Sequence, residues 1–367
     1  MESSFHKWKN IHSNGDIIAF SHDREGILWL KVKSIIRKGI LQHFLEESKI
    51  HLRSTTLQAQ FEELFLFLQQ DIEVSHCLLN DFIAKENIKL FGSLDIDKLI
   101  SELYKLKSFH WGGSYNNSLD KYLVSQYVKA ISSYDVLLNK FETEINMTVQ
   151  SYVLNSWYNH WSSLLIEHLF KSHSIVQATV GQIKNVDFFI NDIPFDLKVT
   201  YFPSKFMEQK RKEKSLPAEL TYLKQKAKEM KLCYDKKGKA EDIYYEITEK
   251  LKDKNCPSCD EVLATIQKQK MEILYESIHN PYTLMKWLYE NQGEMRFGSE
   301  NRLFLVLIDK SDFNKSWKLK RNIEILKPSI YDYLDKFGSK NIENLKVTFN
   351  YKEKEYHALV DIIFIIK

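Results

Sequence analysis

Cysteine is scarce in this chain, with four residues, Cys77, Cys233, Cys256 and Cys259, among 367. So few, so unevenly spaced, they exclude the disulfide framework of a small secreted fold. Cys256-Pro-Ser-Cys259 forms a single C-x-x-C knuckle, and a structural zinc site needs a second pair of ligands, for which Cys233 and His279 are the candidates. Ordinary reduced thiols are the expectation. Long apolar runs are missing too. Nothing approaches the roughly eighteen consecutive apolar residues of a membrane span, and the opening M-E-S-S-F-H-K-W-K-N has no apolar run behind a basic start. A cytoplasmic protein that does not engage a membrane is expected. Charge of one sign is also lacking: 52 Lys and Arg stand against 49 Asp and Glu, a net +3, so any nucleic-acid surface has to be local.

What is present is a globular composition, 44% hydrophobic and 28% charged, on a length that allows two or three domains or one core with large insertions. Residues 1–145 hold few Gly or Pro. Apolar residues recur with helical spacing from Ile27 to Ile40 and again from Phe61 to Leu68, so the region reads as helical, with Ile17 to Phe20 either helix or a short strand. Gly92-Ser93 and Trp111-Gly112-Gly113-Ser114 are breaks, and Leu119 to Phe141 resumes the helix. Asn146 to Lys171 is a further helix with an expected buried stripe of Leu154, Trp157, Tyr158, Trp161, Leu164, Leu165, His168 and Leu169, and Glu167 lies at its edge. Ser174 to Val180 reads as a first strand. Between Lys205 and Lys239 twelve Lys/Arg stand against five Asp/Glu, a basic helical segment able to grip phosphates through Lys205, Lys210, Arg211 and Lys212. Arg302 to Asp309 reads as a buried central strand, and Trp317 to Phe337 as a helix with Lys318, Lys320 and Arg321 exposed near its start. Leu345 to Tyr351 and His357 to Ile366 read as a closing antiparallel pair around Lys352-Glu353-Lys354-Glu355, with Asp361 structural. The organisation expected is a helical region 1–145, an α/β core in two parts at 146–204 and 300–367, and a basic helical insertion 205–299.

The most informative stretch is Val186 to Thr200, V-D-F-F-I-N-D-I-P-F-D-L-K-V-T. With Asn191-Asp192 as a two-residue turn, 190 pairs with 193, 189 with 194, 188 with 195, and 187 with 196. Alternation then puts Val186, Phe188, Ile190, Ile193, Phe195, Leu197 and Val199 on one apolar face, and Asp187, Phe189, Pro194, Asp196 and Lys198 on the other. Asp187 faces Asp196 across a non-hydrogen-bonded pair, roughly 4.5 to 5.5 Å between Cβ atoms. Like charges so placed are destabilising unless a cation joins them, and magnesium suits two carboxylates, completing its octahedron with water and phosphate oxygens. Lys198 adds a positive charge on the same face. Metal, phosphate and lysine together read as phosphodiester hydrolysis.

A helix bearing Glu167, then Asp187, then Asp196-Leu197-Lys198 on adjacent strands resembles the PD-(D/E)xK nuclease superfamily. The resemblance implies a restriction-endonuclease-like fold, a mixed β-sheet flanked by helices, with Asp187 and Asp196 as metal ligands, Lys198 positioning or activating water, and Glu167 as an optional further ligand. The chain departs from the pattern in having Val186 where Pro often precedes the first acid, and Asp in place of Glu in the triplet. A chain with large helical additions resembles a type II restriction endonuclease, which implies a Mg2+-dependent homodimer acting on double-stranded DNA beside a cognate methyltransferase. Arg296, Arg302, Lys318 and Arg321 are further candidates for phosphate or base contacts. Two other readings stay open: a defence nuclease acting on RNA or nonspecifically on DNA, and a non-catalytic nucleic-acid-binding protein.

Overall fold

Asn191 and Asp192 both hold left-handed backbone, with φ of 45° and 61°. Two consecutive positive φ values define the hairpin turn whose twist matches that of paired strands, and Asn and Asp tolerate this conformation better than other residues with a side chain. The turn closes Ile190 on Ile193, and Phe189↔Pro194 and Phe188↔Phe195 follow, the register read from the sequence. In the computed structural model, which describes residues 3–21, 23–92, 94–112, 118–254, 256–291, 300–351 and 353–367, this hairpin lies within a six-stranded sheet. Its strands are β1 (Val176–Ile183), β2 (Val186–Ile190), β3 (Ile193–Tyr201), β4 (Arg302–Ile308), β5 (Lys346–Tyr351) and β6 (Lys354–Ile366), in the order β1-β2-β3-β4-β6-β5. β1 is antiparallel to β2, β4 parallel to β6, and β5 antiparallel to β6, so the sheet is mixed. All seven β4 residues are buried, as a central strand requires. β5 and β6 pair out to Tyr351↔Lys354, so Lys354 and Glu355 belong to the ladder rather than to the expected turn.

The chain divides into two compact units, one of residues 1–200 with 292–367, the other of 201–291. In the first, helices α1 (Ser4–Ser13), α2 (Arg24–Ile35), α3 (Lys38–Ser48), α4 (Leu57–Leu68) and α5 (Ile72–Gly92) share a core with Ala178, Ile183, Val186 and Phe189 of the sheet. Ile18–Phe20 is a turn of 3₁₀ helix, not a strand; Phe20 is drawn in against Trp8, ring centroids 5.0 Å apart. Helices α6 (Ile96–Leu103), α7 (Leu119–Leu123), α8 (Tyr134–Lys140) and α9 (Asn146–Lys171) follow, and α9 stacks Phe170 on Phe188 of β2 at 5.1 Å. The hairpin is therefore covered on both sides. Phe189 and Pro194, placed by alternation on the polar face, are both buried, Phe189 in the core shared with the N-terminal helices.

That cover is locked at the turn. Nine of the twelve α2 residues are buried, Lys31 among them with no exposed surface. Its Nζ donates to Asp192 Oδ1 at 3.2 Å and lies 3.1 Å from His76 Nδ1, while Arg24 donates to Asp192 Oδ2 at 2.5 Å. Burial pushes His76 down to about 4, with the Lys31 charge adding to the effect, so at neutral pH the ring is uncharged and can accept the lysine proton.

The buried stripe of α9 is Asn155, Tyr158, Ser162, Leu165, Ile166, Leu169 and Phe170, rotated from the expected one so that Leu154 is exposed. Two polar residues, Asn155 and Ser162, stand on the buried face, and the Tyr158 hydroxyl donates to the Trp317 carbonyl at 2.9 Å. Residues Phe313–Arg321 form 3₁₀ turns, and α15 (Ile323–Phe337) begins only after them.

The second unit holds helices α10 (Ser204–Glu213), α11 (Glu219–Glu229), α12 (Ala240–Lys254), α13 (Pro257–His279) and α14 (Tyr282–Asn291), with Leu223, Ile243, Ile247, Leu251, Val262 and Ile266 in its core. Cys256 and Cys259 are joined as a disulfide at the start of α13, where reduced thiols were expected. His279 ends the same helix. Twenty residues of helix separate it from Cys259, about 30 Å at 1.5 Å per residue, so the two cannot share a zinc ion. Among the described residues no helix is long and apolar enough to cross a membrane.

Candidate active site

The hairpin ladder stops at Phe188↔Phe195, one step short of the two acids. Continuing it would give the Leu197 N–H a backbone acceptor on β2; the Asp187 side chain takes that proton instead, Oδ2 accepting at 2.8 Å. On the other side of β3, the Asp196 N–H donates to the carbonyl of Asn301, just before β4, at 2.9 Å. β2 and β3 therefore part where they carry the carboxylates, and the expected 187–196 pair is a side-chain juxtaposition rather than a rung of the ladder. Thr179 Oγ1 donates to the Asp187 carbonyl at 2.9 Å and fixes the strand end from β1.

Burial pushes the Asp187 carboxyl up to about 6, and the neighbouring charge of Asp196 raises it further; the bond from Leu197 and the charge of Lys198 oppose the shift, while Glu167 adds to it. Asp196, Lys198 and Glu167 thus all lie close enough to act on Asp187 electrostatically. Asp196 is 6% exposed. Its Oδ1 accepts from Lys198 Nζ at 2.6 Å, and its Oδ2 faces Arg302 Nε at 3.8 Å. The Lys198 side chain is 41% exposed, so the cluster opens to solvent on the lysine side. Glu167, on α9, pairs with Lys171 at 3.3 Å.

One member had no signal in the sequence. Glu300, two residues ahead of Arg302, is buried and accepts from Arg302 Nη2 at 3.0 Å. Burial raises its carboxyl above the ordinary range, with the Arg302 charge working against the rise. No motif announces Glu300, because only the pairing of β3 with β4 brings it near Asp196.

Magnesium asks for one or two protein carboxylates and fills its remaining positions with water and phosphate oxygens. Asp187 and Asp196 fit that demand: two acids held apart from the ladder, whose mutual repulsion a divalent cation relieves. Among the described residues no three or more His, Cys, Asp or Glu side chains converge as a complete protein cage.

The basic candidates divide sharply. Arg302 belongs to the acid cluster itself. Arg321, expected at the surface, is buried, donating through Nη1 to the carbonyls of Leu103 at 2.6 Å and Leu106 at 2.9 Å, with its guanidinium over the rings of Tyr104 and Trp317. Lys320 is buried too, bonded to Asn159 Oδ1 at 3.0 Å, and burial lowers it to about 8. Lys318 is half-buried over the Trp317 ring. In the second unit Arg211 is buried with Nε on the Pro217 carbonyl, and Lys210 pairs with Glu213 at 2.7 Å. Lys205 and Lys212 are exposed. Arg296 lies outside the described residues. Neither the protein-family models, the curated proteins nor the solved structures include a match to this chain.

Proposed function

We propose that this chain is a magnesium-dependent DNA endonuclease, of the sequence-specific type II restriction kind, built on a restriction-endonuclease-like core. The observation that carries the reading is the interrupted ladder at Asp187 and Asp196: two electrostatically coupled carboxylates lie where β2 and β3 separate, with Lys198 bonded to Asp196 on the open side. The order of elements supports it, since an acid-bearing helix precedes an acid in β2 and an acid-x-Lys triplet in β3.

When bound, magnesium supplies Lewis-acid polarisation of the scissile phosphate and a lowered pKa for its water. Asp187 and Asp196 hold it, and Asp187 does so in its ionised form, which its raised pKa confines to pH above about 6. Lys198, partly exposed at the solvent edge of the site, orients the attacking water and steadies the extra negative charge of the pentavalent phosphorane. Glu167 contributes negative potential from α9. Cutting both strands of a duplex takes two such sites, so the active form is a homodimer, with a cognate methyltransferase protecting the host sequence.

The test is incubation of purified protein, and of its Asp196→Ala variant, with unmethylated plasmid or phage DNA, in magnesium and in EDTA. Discrete fragments that need both magnesium and Asp196 are expected. An intact plasmid with wild-type protein in magnesium counts against the DNA reading; cleavage of RNA in the same buffer would turn it towards a defence nuclease.

A further inference from the structure

Glu300 and Arg302 flank Asn301, which is tied to β3, to β6 and to the segment before α2. Its carbonyl accepts from Asp196 N at 2.9 Å, its Nδ2 donates to the Pro194 carbonyl at 3.0 Å and to Ser21 Oγ at 2.9 Å, and its Oδ1 accepts from Leu359 N at 3.2 Å. A backbone so fixed holds residues 300 and 302, which leave an extended chain on the same side, level with Asp196. The result is a chain of charge, buried from Glu300 to Asp196 and open at its lysine end: Glu300 on Arg302 at 3.0 Å, Arg302 at 3.8 Å from Asp196 Oδ2, and Lys198 on Asp196 Oδ1.

A guanidinium this near a metal-binding carboxylate poses a problem. Alone, it would fold across Asp196 as a bidentate partner, the geometry Arg and carboxylates favour, and would repel a divalent cation. Glu300 prevents both, because it takes Nη2 and cancels the charge. We propose that Glu300 is a positioning residue for the metal site: by holding Arg302 beside the Asp196 carboxylate rather than across it, Glu300 keeps that carboxylate available to a divalent cation. The proposal rests on the metal-site reading above.

The experiment is Mn2+ binding to the full chain without DNA, by calorimetry or by the electron paramagnetic resonance of free Mn2+. Glu300→Gln, which keeps the shape and removes the charge, is expected to weaken binding tenfold to a hundredfold, the usual loss for a partner behind a metal ligand. Adding Arg302→Gln to Glu300→Gln is expected to restore most of that affinity, because the uncompensated guanidinium is then gone. A purely structural role gives no such rescue. Glu300→Gln that binds Mn2+ as tightly as wild type overturns the proposal, as does a double variant no better than the single one. If Glu300→Gln alone does not fold, the double variant, which removes a buried pair rather than half of one, decides the matter: wild-type affinity supports the proposal and a loss overturns it. Wild-type protein that binds no Mn2+ overturns the metal-site reading itself, an outcome distinct from equal binding by wild type and variant.

Discussion

At the scale of single residues, Asp187 does two jobs that its place in the sequence does not separate. It is a charged group facing Asp196, and it is the hydrogen-bond acceptor for Leu197 N–H. Asp187→Ala removes both and leaves a backbone donor unpaired, whereas Asp187→Asn keeps an acceptor and removes only the charge. The proton linkage follows. The carboxyl titrates near 3.8 in the unfolded chain and at about 6 in the folded one, so the folded state holds its proton more tightly. Without metal, stability is highest while the proton is bound and is lost as pH rises from about 4 to about 6. The loss is complete above 6 and amounts to about 3 kcal/mol for a shift of this size. Thermal melts in EDTA between pH 4.5 and 7.5 are expected to show this fall in wild type and a flatter profile in Asp187→Asn. Magnesium is expected to restore the wild-type melting temperature at pH 7.5 and to have little effect at pH 5, where the carboxyl is protonated. Parallel profiles for the two proteins would mean that folding does not raise the Asp187 carboxyl.

At the scale of elements, the hairpin was the most legible part of the chain, because its information is local. Two residues that tolerate positive φ, flanked by alternating apolar positions, fix the turn and the register together. Its cover was not legible. Phe189 and Pro194 looked like residues on a solvated face, and only the packing of α2 and α5 on the sheet shows that both faces are buried. The stripe on α9 was misplaced for a related reason: Asn155 and Ser162 lie on the contact face and Leu154 outside it, an inversion that periodicity alone cannot reveal. Gly181 marks a close approach in this packing. A Cβ there would stand 2.2 Å from the Ser34 carbonyl oxygen of α2, and a backbone atom cannot move aside as a side-chain tip can. Gly181→Ala is expected to destabilise the protein by about 1–3 kcal/mol in urea unfolding, the range of an overpacked core position. Gly39→Ala, in α3 with open space where its Cβ would go, is the control and is expected to be neutral or slightly stabilising. Equal midpoints for the two variants would mean that β1 and α2 are not in contact through Gly181.

At the scale of the whole molecule, net charge hides the distribution that matters. The chain is nearly neutral, and counting lysines and arginines along it suggested two basic regions able to meet DNA. Folding withdraws several of them. Arg321 is spent on two carbonyls and a set of rings, Lys320 on Asn159, Arg211 on the Pro217 carbonyl and Lys210 on Glu213, so the sequence overstated the charge that α10 and the segment before α15 present. Composition could not distinguish these roles, since an arginine that ties loops together and one that meets a phosphate are the same letter. Lys205 and Lys212 remain exposed on α10. If they contact phosphates, each neutralised phosphate contributes about 0.9 to the slope of log affinity against log salt on duplex DNA. Anisotropy of a labelled duplex without divalent metal, over a range of salt, is therefore expected to show a slope lower by about 1 to 2 when Lys205 and Lys212 are both changed to Ala, with the melting temperature unmoved. Arg321→Ala is expected to do the reverse, lowering the melting temperature because the Leu103 and Leu106 carbonyls lose their donor, and leaving the slope alone wherever the protein is still folded. An unchanged slope in the lysine pair removes α10 from the DNA contact, and a changed slope in folded Arg321→Ala protein would mean that this arginine leaves its carbonyls to meet the duplex.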